Sequence, residues 1–309
     1  MKEIESLSGD GYMKKENQVF SSREIENLFG KLKFEGITRD ITARLSLLSI
    51  PTERRGSHFQ DAIEISEIID DLMAEDRTDQ EVNEIRAVCL LHDIGKSGPA
   101  EANEKERAAI VQIYNFSFNK DDYDGLAASQ LPLARALQMK VTEGALSAQR
   151  AEELLDLVES GVKKQTKKRV ETFIRPSTTM RTFWSAHVYW TYDILLEEGI
   201  DKNAVDVAAS HHLLEGCDPA QIGWANINPD MASLELVDKY QAHCMRLDLA
   251  DKYQAFRVRS GKSHEEAVQI LRKLLESRLG KAHPAFPIYS RVLETISAHK
   301  EALDKDLGS

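Results

Sequence analysis

Apolar residues recur at helical spacing along most of this chain. After Ser57 they share one face of a predicted helix, at Ala62, Ile63, Ile65, Ile68, Ile69 and Leu72. The 309 residues include only 16 glycines and 8 prolines, fewer than the usual ~12% for these two helix-interrupting residues together. No segment alternates between apolar and polar residues as a half-buried strand does. The sequence therefore predicts an all-α fold.

Start and stop signals place the helices along the chain. Ser21 and Ser57 are predicted N-caps, because a serine side chain accepts a hydrogen bond from an unpaired N–H at a helix start. Further helices are predicted over residues 80–93, 103–114, 131–137, 147–162, 183–198, 202–214, 232–258 and 263–279, and after residue 287. We divide the chain into an N-terminal helical arm, residues 1–50, and one domain, residues 51–309, with an inserted helical block at about residues 100–172.

Charge and cysteine content exclude several classes of function. The 51 acidic and 40 basic residues give a formal net charge of −11, which disfavours a nucleic-acid polymer as partner. Cys89, Cys217 and Cys244 lie far apart, which fits a reduced compartment and excludes a disulfide scaffold. The chain starts without a recognisable secretion signal, and no apolar run is long enough to span a bilayer. We expect a cytoplasmic protein without membrane insertion.

Histidine and aspartate residues occur in an order that indicates a metal site. The candidates are two adjacent pairs and three single residues: His92 and Asp93, His211 and His212, His58, His187 and Asp251. Imidazoles and carboxylates are ligands that iron, manganese and zinc accept. Adjacent side chains on a helix point about 100° apart, so an adjacent pair serves two neighbouring ions more easily than one. The pattern predicts a two-metal cluster, in which the ions lie ~3.5–4 Å apart.

Five short segments, taken in order, resemble a known family. The stretch His92-Asp93-Ile94-Gly95-Lys96 resembles the signature of the HD superfamily of metal-dependent phosphohydrolases. The segments 186–195, 210–216, 251–255 and 263–267 resemble the HD-GYP branch, the cyclic di-GMP phosphodiesterases. The resemblance covers roughly residues 51–99 and 173–279. It implies an HD-domain helical bundle and a metal-binding domain of the HD-GYP type over residues 51–309.

The resemblance also implies a set of metal ligands. The first ion would be held by His58, His92, Asp93 and Asp251, and the second by His187, His211 and His212, with Asp93 bridging the two. The cofactors implied are two divalent metal ions, iron in the first place and manganese as the alternative.

Two points about the ligand set rest on neighbouring residues. Asp248 lies three residues before Asp251 on the same helix face and is an alternative for its role. Some family members bind a third metal through a glutamate one turn before the first histidine. That position is Arg54 here, beside Glu53, so two ions are expected rather than three.

The implied reaction is hydrolysis of cyclic di-GMP, or a related small nucleotide, through a hydroxide activated by two metals. Asp93 and Lys96 would be the catalytic residues. Lys96 would contact the scissile phosphate as a positive point charge; the alternative is that it caps its own helix. Lys96, Arg259 and Lys262 are the candidate substrate-binding residues.

The chain departs from the family pattern, and the departures leave other functions open. Leu213 replaces the usual glutamate, the loop over residues 215–219 lacks the GYP tyrosine, and the inserted block could act as a lid. One alternative is a catalytically weak or inactive sensor of cyclic dinucleotides or redox state that keeps the dinuclear site. A second is a general nucleotide phosphohydrolase of the HD superfamily, and a third is a purely structural helical protein.

Other histidines and the tryptophans receive simpler interpretations. Surface positions are predicted for the histidines that match no ligand position, His243, His264, His283 and His299. Core positions are predicted for the three tryptophans, Trp184, Trp190 and Trp224, with stacking on a base as the alternative for Trp224.

Overall fold

The computed structural model describes residues 18–53, 56–73, 78–118, 126–165, 174–221 and 239–306. Within these ranges the chain forms thirteen α-helices and no β-strand; isolated bridges occur there, one of them between Pro132 and Thr179. The predicted all-α class is confirmed. Among the described helices, none has both the length and the apolar character needed to cross a bilayer.

The helices follow one another with short connections. In chain order they are α1 (Ser22–Lys31), α2 (Arg39–Leu48), α3 (His58–Met73), α4 (Asp79–Leu91), α5 (Glu104–Asn115), α6 (Leu133–Thr142), α7 (Ala148–Lys163), α8 (Met180–Glu197), α9 (Lys202–Ala208), α10 (Lys239–Gln254), α11 (His264–Arg278), α12 (Phe286–Ala298) and α13 (Lys300–Asp306). A 3₁₀ turn, Ile94–Ser97, follows α4, and a π-helical turn, Ala255–Arg259, follows α10.

Side-chain caps set several of the helix starts. Ser21 caps α1 in a capping box with Glu24, as the sequence predicts. Ser57 accepts a hydrogen bond from the backbone N–H of Gln60 at 3.1 Å, which confirms its predicted place before α3. Asn103 caps α5 in the same way that Ser21 caps α1.

Two segments differ from the predicted helices. The helix predicted over residues 202–214 ends at Ala208, because the Ser210 hydroxyl donates to the Asp206 carbonyl and the His211 ring donates to the Ala208 carbonyl. The helix α2 was not predicted; Thr38 caps it and its apolar face is buried. Residues 222–238, where the start of the predicted 232–258 helix falls, lie outside the described residues.

The arm over residues 18–48 belongs to the same hydrophobic core as the rest of the described chain. A network of polar contacts between the arm and the rest of the chain is centred on Arg44 of α2, whose side chain is fully buried. The guanidinium donates to the Ser97 hydroxyl and to the carbonyls of Gly98, Pro99 and Ala100 at 2.8–3.2 Å. The arm therefore supports the loop that follows the His-Asp pair.

The structure shows how the inserted block packs and which of the remaining histidines are buried. The described part of the block is helical, as predicted, and α5 packs on both α7 and the turn Ile94–Ser97. The surface prediction is wrong for His243 and His264, which are both buried. The His264 ring pairs with the Tyr253 hydroxyl at 2.8 Å, which satisfies one ring nitrogen inside the core.

The core position predicted for the tryptophans is confirmed for one of them. Trp190 is fully buried, as predicted. Trp184 is only partly buried, because it borders a cavity described below. Trp224 lies outside the described residues.

Candidate metal centre

The His-Asp pair lies where α4 ends and the chain turns into the 3₁₀ segment Ile94–Ser97. Both side chains are buried, Asp93 with 3% of its surface exposed. The Nδ1 of His92 donates to the carbonyl of Cys89 at 2.6 Å. Its Nε2 therefore faces the other way and lies 3.5 Å from Asp93 Oδ2.

Gly95 brings helix α8 against this turn. Its N–H donates to the Thr191 hydroxyl at 3.0 Å, and that hydroxyl donates to the His92 carbonyl at 2.9 Å. A Cβ added at Gly95 would lie 1.9 Å from the carbonyl oxygen of His187, so only glycine fits. This close approach places His187 Nε2 3.3 Å from Asp93 Oδ1.

Three of the site histidines share one arrangement. The Nδ1 of His92, His187 and His211 each meets the backbone carbonyl three residues earlier in the chain. A carbonyl can only accept, so each Nδ1 carries the proton and each Nε2 presents a lone pair. The fourth, His212, pairs its Nδ1 with Glu215 Oε2 at 2.9 Å. Metal-binding histidines are held in this way, by a carbonyl or a carboxylate on the other ring nitrogen.

The lone pairs converge without a donor between them. The Nε2 atoms of His187 and His211 lie 2.8 Å apart, and His211 Nε2 lies 3.6 Å from Asp93 Oδ1. Acceptors at these distances repel one another unless a cation joins them. The Nε2 atoms of His92 and His58 are buried and have no hydrogen-bond partner in the described part of the chain. A bound cation would satisfy these atoms, whose burial otherwise costs about 1–3 kcal/mol each.

The potential ligands form two groups that share His211. Within each group the ligand atoms lie within 4.8 Å of one another: His187, His211 and His212 in one, and His92, Asp93 and His211 in the other. The donor set of imidazoles and a carboxylate suits divalent iron, manganese or zinc. The structure thus brings together five of the seven residues that the sequence predicts as ligands.

His58 and Asp251 lie outside these two groups. His58 borders the same site, since its Nδ1 lies 3.2 Å from Lys96 Nζ. Asp251 is buried on α10. Burial opposes the charge on Arg259, but Asp61 and, after it, Asp251 raise the pKa of that side chain, which lines the same cavity as His58. A ligand role for both residues stays a prediction.

Asp248, the alternative to Asp251, uses both of its carboxylate oxygens in hydrogen bonds within the protein. Its Oδ1 accepts from Lys252 Nζ at 2.5 Å, and its Oδ2 accepts from the Leu214 N–H at 3.1 Å and the Tyr289 hydroxyl at 2.6 Å. These bonds tie α10 to α12 and to the segment after the double histidine. Asp248 therefore holds the fold beside the site rather than facing an ion.

Lys96 points into the site and not toward the carbonyls of its own turn. Its Nζ donates to Asp93 Oδ2 at 2.5 Å and lies 3.2 Å from His58 Nδ1. With 8% of its surface exposed, it is one of the residues that line the cavity beside the site, and it places a positive charge there.

Burial sets the protonation states that metal binding requires. Desolvation lowers the pKa of His187 to about 4 and holds the pKa values of His58 and His211 well below the ordinary 6.5. Burial alone would raise the pKa of Asp93, but Lys96, His92 and His187 hold it well below 3.8. At neutral pH His58, His187 and His211 are thus neutral and Asp93 is ionised, which are the forms that bind metals.

A cavity of about 310 Å³ opens onto the centre. It is lined by Thr52, His58, Asp61, Lys96, Tyr114, Asn115, Phe116, Arg181, Trp184, Ser185, His187, His212, Glu215 and Arg259. Arg259 comes from the π-helical turn after α10 and pairs with Asp61 at 3.0 Å. Lys262, the other predicted substrate contact, is exposed and is not among the lining residues.

Sequence reasoning missed the residues that support His212. Lys252 is buried and donates to the carbonyl of His211 at 3.1 Å, and its Nζ lies 3.6 Å from Glu215 Oε1. Burial opposes the charge on Glu215, but its contacts with His212 and Lys252 hold its pKa below 4.5. The ionised Glu215 therefore orients His212; the only signal in the sequence was a carboxylate three residues after that histidine.

Glu53 is also committed to the fold. Its Oε2 accepts from Lys140 Nζ at 2.9 Å and from the Ser117 N–H at 2.8 Å, so it bonds to the inserted block. Arg54 lies outside the described residues. The expectation of two ions rather than three is consistent with the use of Glu53, and stays a prediction.

No protein-family model, curated protein or solved structure matches this chain.

Proposed function

We propose that this chain is an HD-type, two-metal phosphohydrolase that cleaves a phosphodiester in a small nucleotide, with cyclic di-GMP as the first substrate to test. The position of Asp93 carries the proposal. Its Oδ1 lies 3.3 Å from His187 Nε2 and 3.6 Å from His211 Nε2, while its Oδ2 lies 3.5 Å from His92 Nε2. One carboxylate thus faces both groups of potential ligands, as a bridging ligand must.

The chain's own residues would hold the ions and the phosphate. His92 and Asp93, joined by His58 and Asp251, would hold one divalent ion, and His187, His211 and His212 the other, with iron or manganese as the metal. When bound, such a pair polarises the phosphate and lowers the pKa of water toward neutrality.

The cationic side chains around the cavity would bind the phosphate of the substrate. Lys96 Nζ lies beside Asp93 and can donate to a phosphate oxygen that enters the centre. Arg259, held by Asp61, places a second fixed positive charge on the cavity wall. The net charge of −11 means that a phosphate must be attracted by this local set rather than by the overall field.

The test is metal analysis of anaerobically purified protein, followed by incubation with cyclic di-GMP and Fe²⁺ or Mn²⁺. We expect about two ions per chain and release of a linear dinucleotide or GMP. Asp93→Ala should lose metal and activity together, whereas Asp156→Asn, an exposed carboxylate on α7, should keep both. Retained metal stoichiometry in Asp93→Ala would contradict the bridging role. Binding of cyclic di-GMP without product would favour the sensor.

The size of the cavity favours a second candidate, a nucleotide phosphohydrolase that acts on one nucleotide unit. About 310 Å³ is at the small end of the ~300–1,000 Å³ that ligand pockets span. Incubating the metal-loaded protein with nucleoside mono-, di- and triphosphates tests it. Phosphate release from these compounds, with cyclic di-GMP left intact, would select this candidate over the first.

A further inference from the structure

The cavity is lined by two chemically different groups of side chains. One group consists of the candidate metal-binding and cationic residues, among them His58, Lys96 and Arg259. The other consists of Tyr114, Asn115 and Phe116 at the end of α5, together with Trp184 on α8. The inserted block thus supplies a wall of the cavity, made mainly of aromatic rings.

Several contacts fix this wall in place. The Tyr114 hydroxyl donates to the carbonyl of Phe183 at 2.7 Å, and the two rings stack with centroids 4.7 Å apart. The ammonium of Lys140 lies 5.7 Å from the centre of the Phe116 ring and bonds to Glu53. The N–H of Glu53 in turn donates to the carbonyl of Asn115 at 3.0 Å. Because contacts with α8 and with Glu53 and Lys140 hold these side chains in place, the wall is preorganised for a ligand.

One polar atom on the wall has nothing to bind. The Oδ1 of Asn115 is buried and has no hydrogen-bond partner among the described residues. Buried amide oxygens are normally paired, because leaving one unpaired costs free energy. A ligand N–H, reached by a small rotation of the amide, would supply the missing donor.

We infer that Phe116, Trp184 and Asn115 form a nucleobase subsite, so that the substrate is a nucleotide whose base lies against the wall built by the inserted block. This inference rests on the proposed function, which places the phosphate at the candidate metal-binding and cationic residues. Aromatic rings stack on the face of any base, and the Asn115 amide adds a hydrogen-bonding group at its edge. A sugar phosphate without a base would leave both unused.

The test compares GMP with ribose 5-phosphate, measured by equilibrium binding to the Mn²⁺-supplied protein. The wild type should bind GMP at least tenfold more tightly than ribose 5-phosphate. Phe116→Leu and Trp184→Leu should each weaken GMP binding about tenfold and leave ribose 5-phosphate within twofold. Trp184→Phe, which keeps a ring, should retain most of the GMP affinity. Phe34→Leu, a half-buried aromatic residue outside the cavity, is the matched control.

Three results would overturn the subsite: equal wild-type affinity for the two ligands, equal losses for both in the variants, or no loss in either. Circular dichroism of each variant separates a folding defect from a binding defect, and Trp184→Phe keeps the test open if a leucine variant fails to fold. The proposed function fails separately. If GMP binding behaves as expected but no phosphoester is hydrolysed, the subsite stands alone; if hydrolysis occurs without base preference, only the subsite falls.

Discussion

The α-carbon of Gly95 lies so close to the carbonyl of His187 that a methyl group there would come within 1.9 Å of the oxygen. The glycine of the His-Asp motif is thus a packing requirement between the turn after α4 and helix α8. That packing places His187 Nε2 beside Asp93.

Gly95→Ala should therefore damage both stability and the metal centre. The clash is with backbone atoms, which cannot turn aside, so we expect a loss of about 3 kcal/mol in the free energy of unfolding. Metal stoichiometry should fall as α8 moves away from Asp93. Gly30→Ala is the matched control, since nothing lies within 4 Å of its added Cβ and it lies in α1. It should stabilise the protein by up to about 1 kcal/mol. Urea unfolding and metal analysis measure both effects.

Lys96→Gln should separate metal binding from turnover. The Lys96 ammonium lies 2.5 Å from Asp93 Oδ2 and competes with a cation for that carboxylate. Removing the charge should raise the affinity for Mn²⁺ about tenfold, which is about 1.4 kcal/mol, while hydrolysis of the substrate falls. Lys105→Gln, at an exposed position in α5, should change neither. Weaker metal binding in Lys96→Gln would show that Lys96 supports the centre rather than competing with the ion.

Glu215→Gln should weaken the metal site without unfolding the protein. Glu215 accepts from His212 and fixes which ring nitrogen faces the centre. Loss of such an outer contact typically costs 10–100-fold in metal affinity, and we expect a decrease in that range. Glu294→Gln, on the exposed face of α12, is the control. Unchanged metal affinity in Glu215→Gln would remove His212 from the ligand set or Glu215 from its support.

The metal-free protein should lose stability as the pH falls from 6.5 toward 4. His187 has a pKa of about 4 in the fold against 6.5 as its ordinary value, so the unfolded chain binds more protons between these limits. The free energy of unfolding then rises with pH in this window, and His187 contributes about 3 kcal/mol of the change. Urea unfolding at several pH values, compared between wild type and His187→Gln, measures it. Equal slopes in the two proteins would contradict the assignment.

The part of the candidate centre that was predictable from the sequence is the set of residues that occur in a recognisable order. His92, Asp93, His187 and the double histidine were recognised from their sequence, and the structure brings them together. Their supports were not, because Glu215, Lys252 and Asp248 act through contacts between α10 and a distant loop. No local pattern marks a lysine that will be buried against a carbonyl 41 residues away.

In the fold, too, features set by neighbouring residues were predicted, whereas features set by contacts between distant residues were not. Helix starts with a serine cap were predicted well, since Ser21 and Ser57 act on residues three positions away. The early end of α9 was missed because side chains of the following turn take its carbonyls. His264 was assigned to the surface because nothing in the sequence reveals that Tyr253 would pair with it.

Arg44 has a practical consequence for how the protein can be divided. A fragment beginning at residue 51 would contain every residue of the His-Asp motif but would lack Arg44. The hydroxyl of Ser97 and the carbonyls of residues 98–100 would then lose their hydrogen-bond donor. Those acceptors lie immediately downstream of Lys96, so the loss of their donor would disturb the segment next to the candidate metal centre. Helix α2 therefore supports the segment that follows the His-Asp motif, and a truncated variant has to retain it.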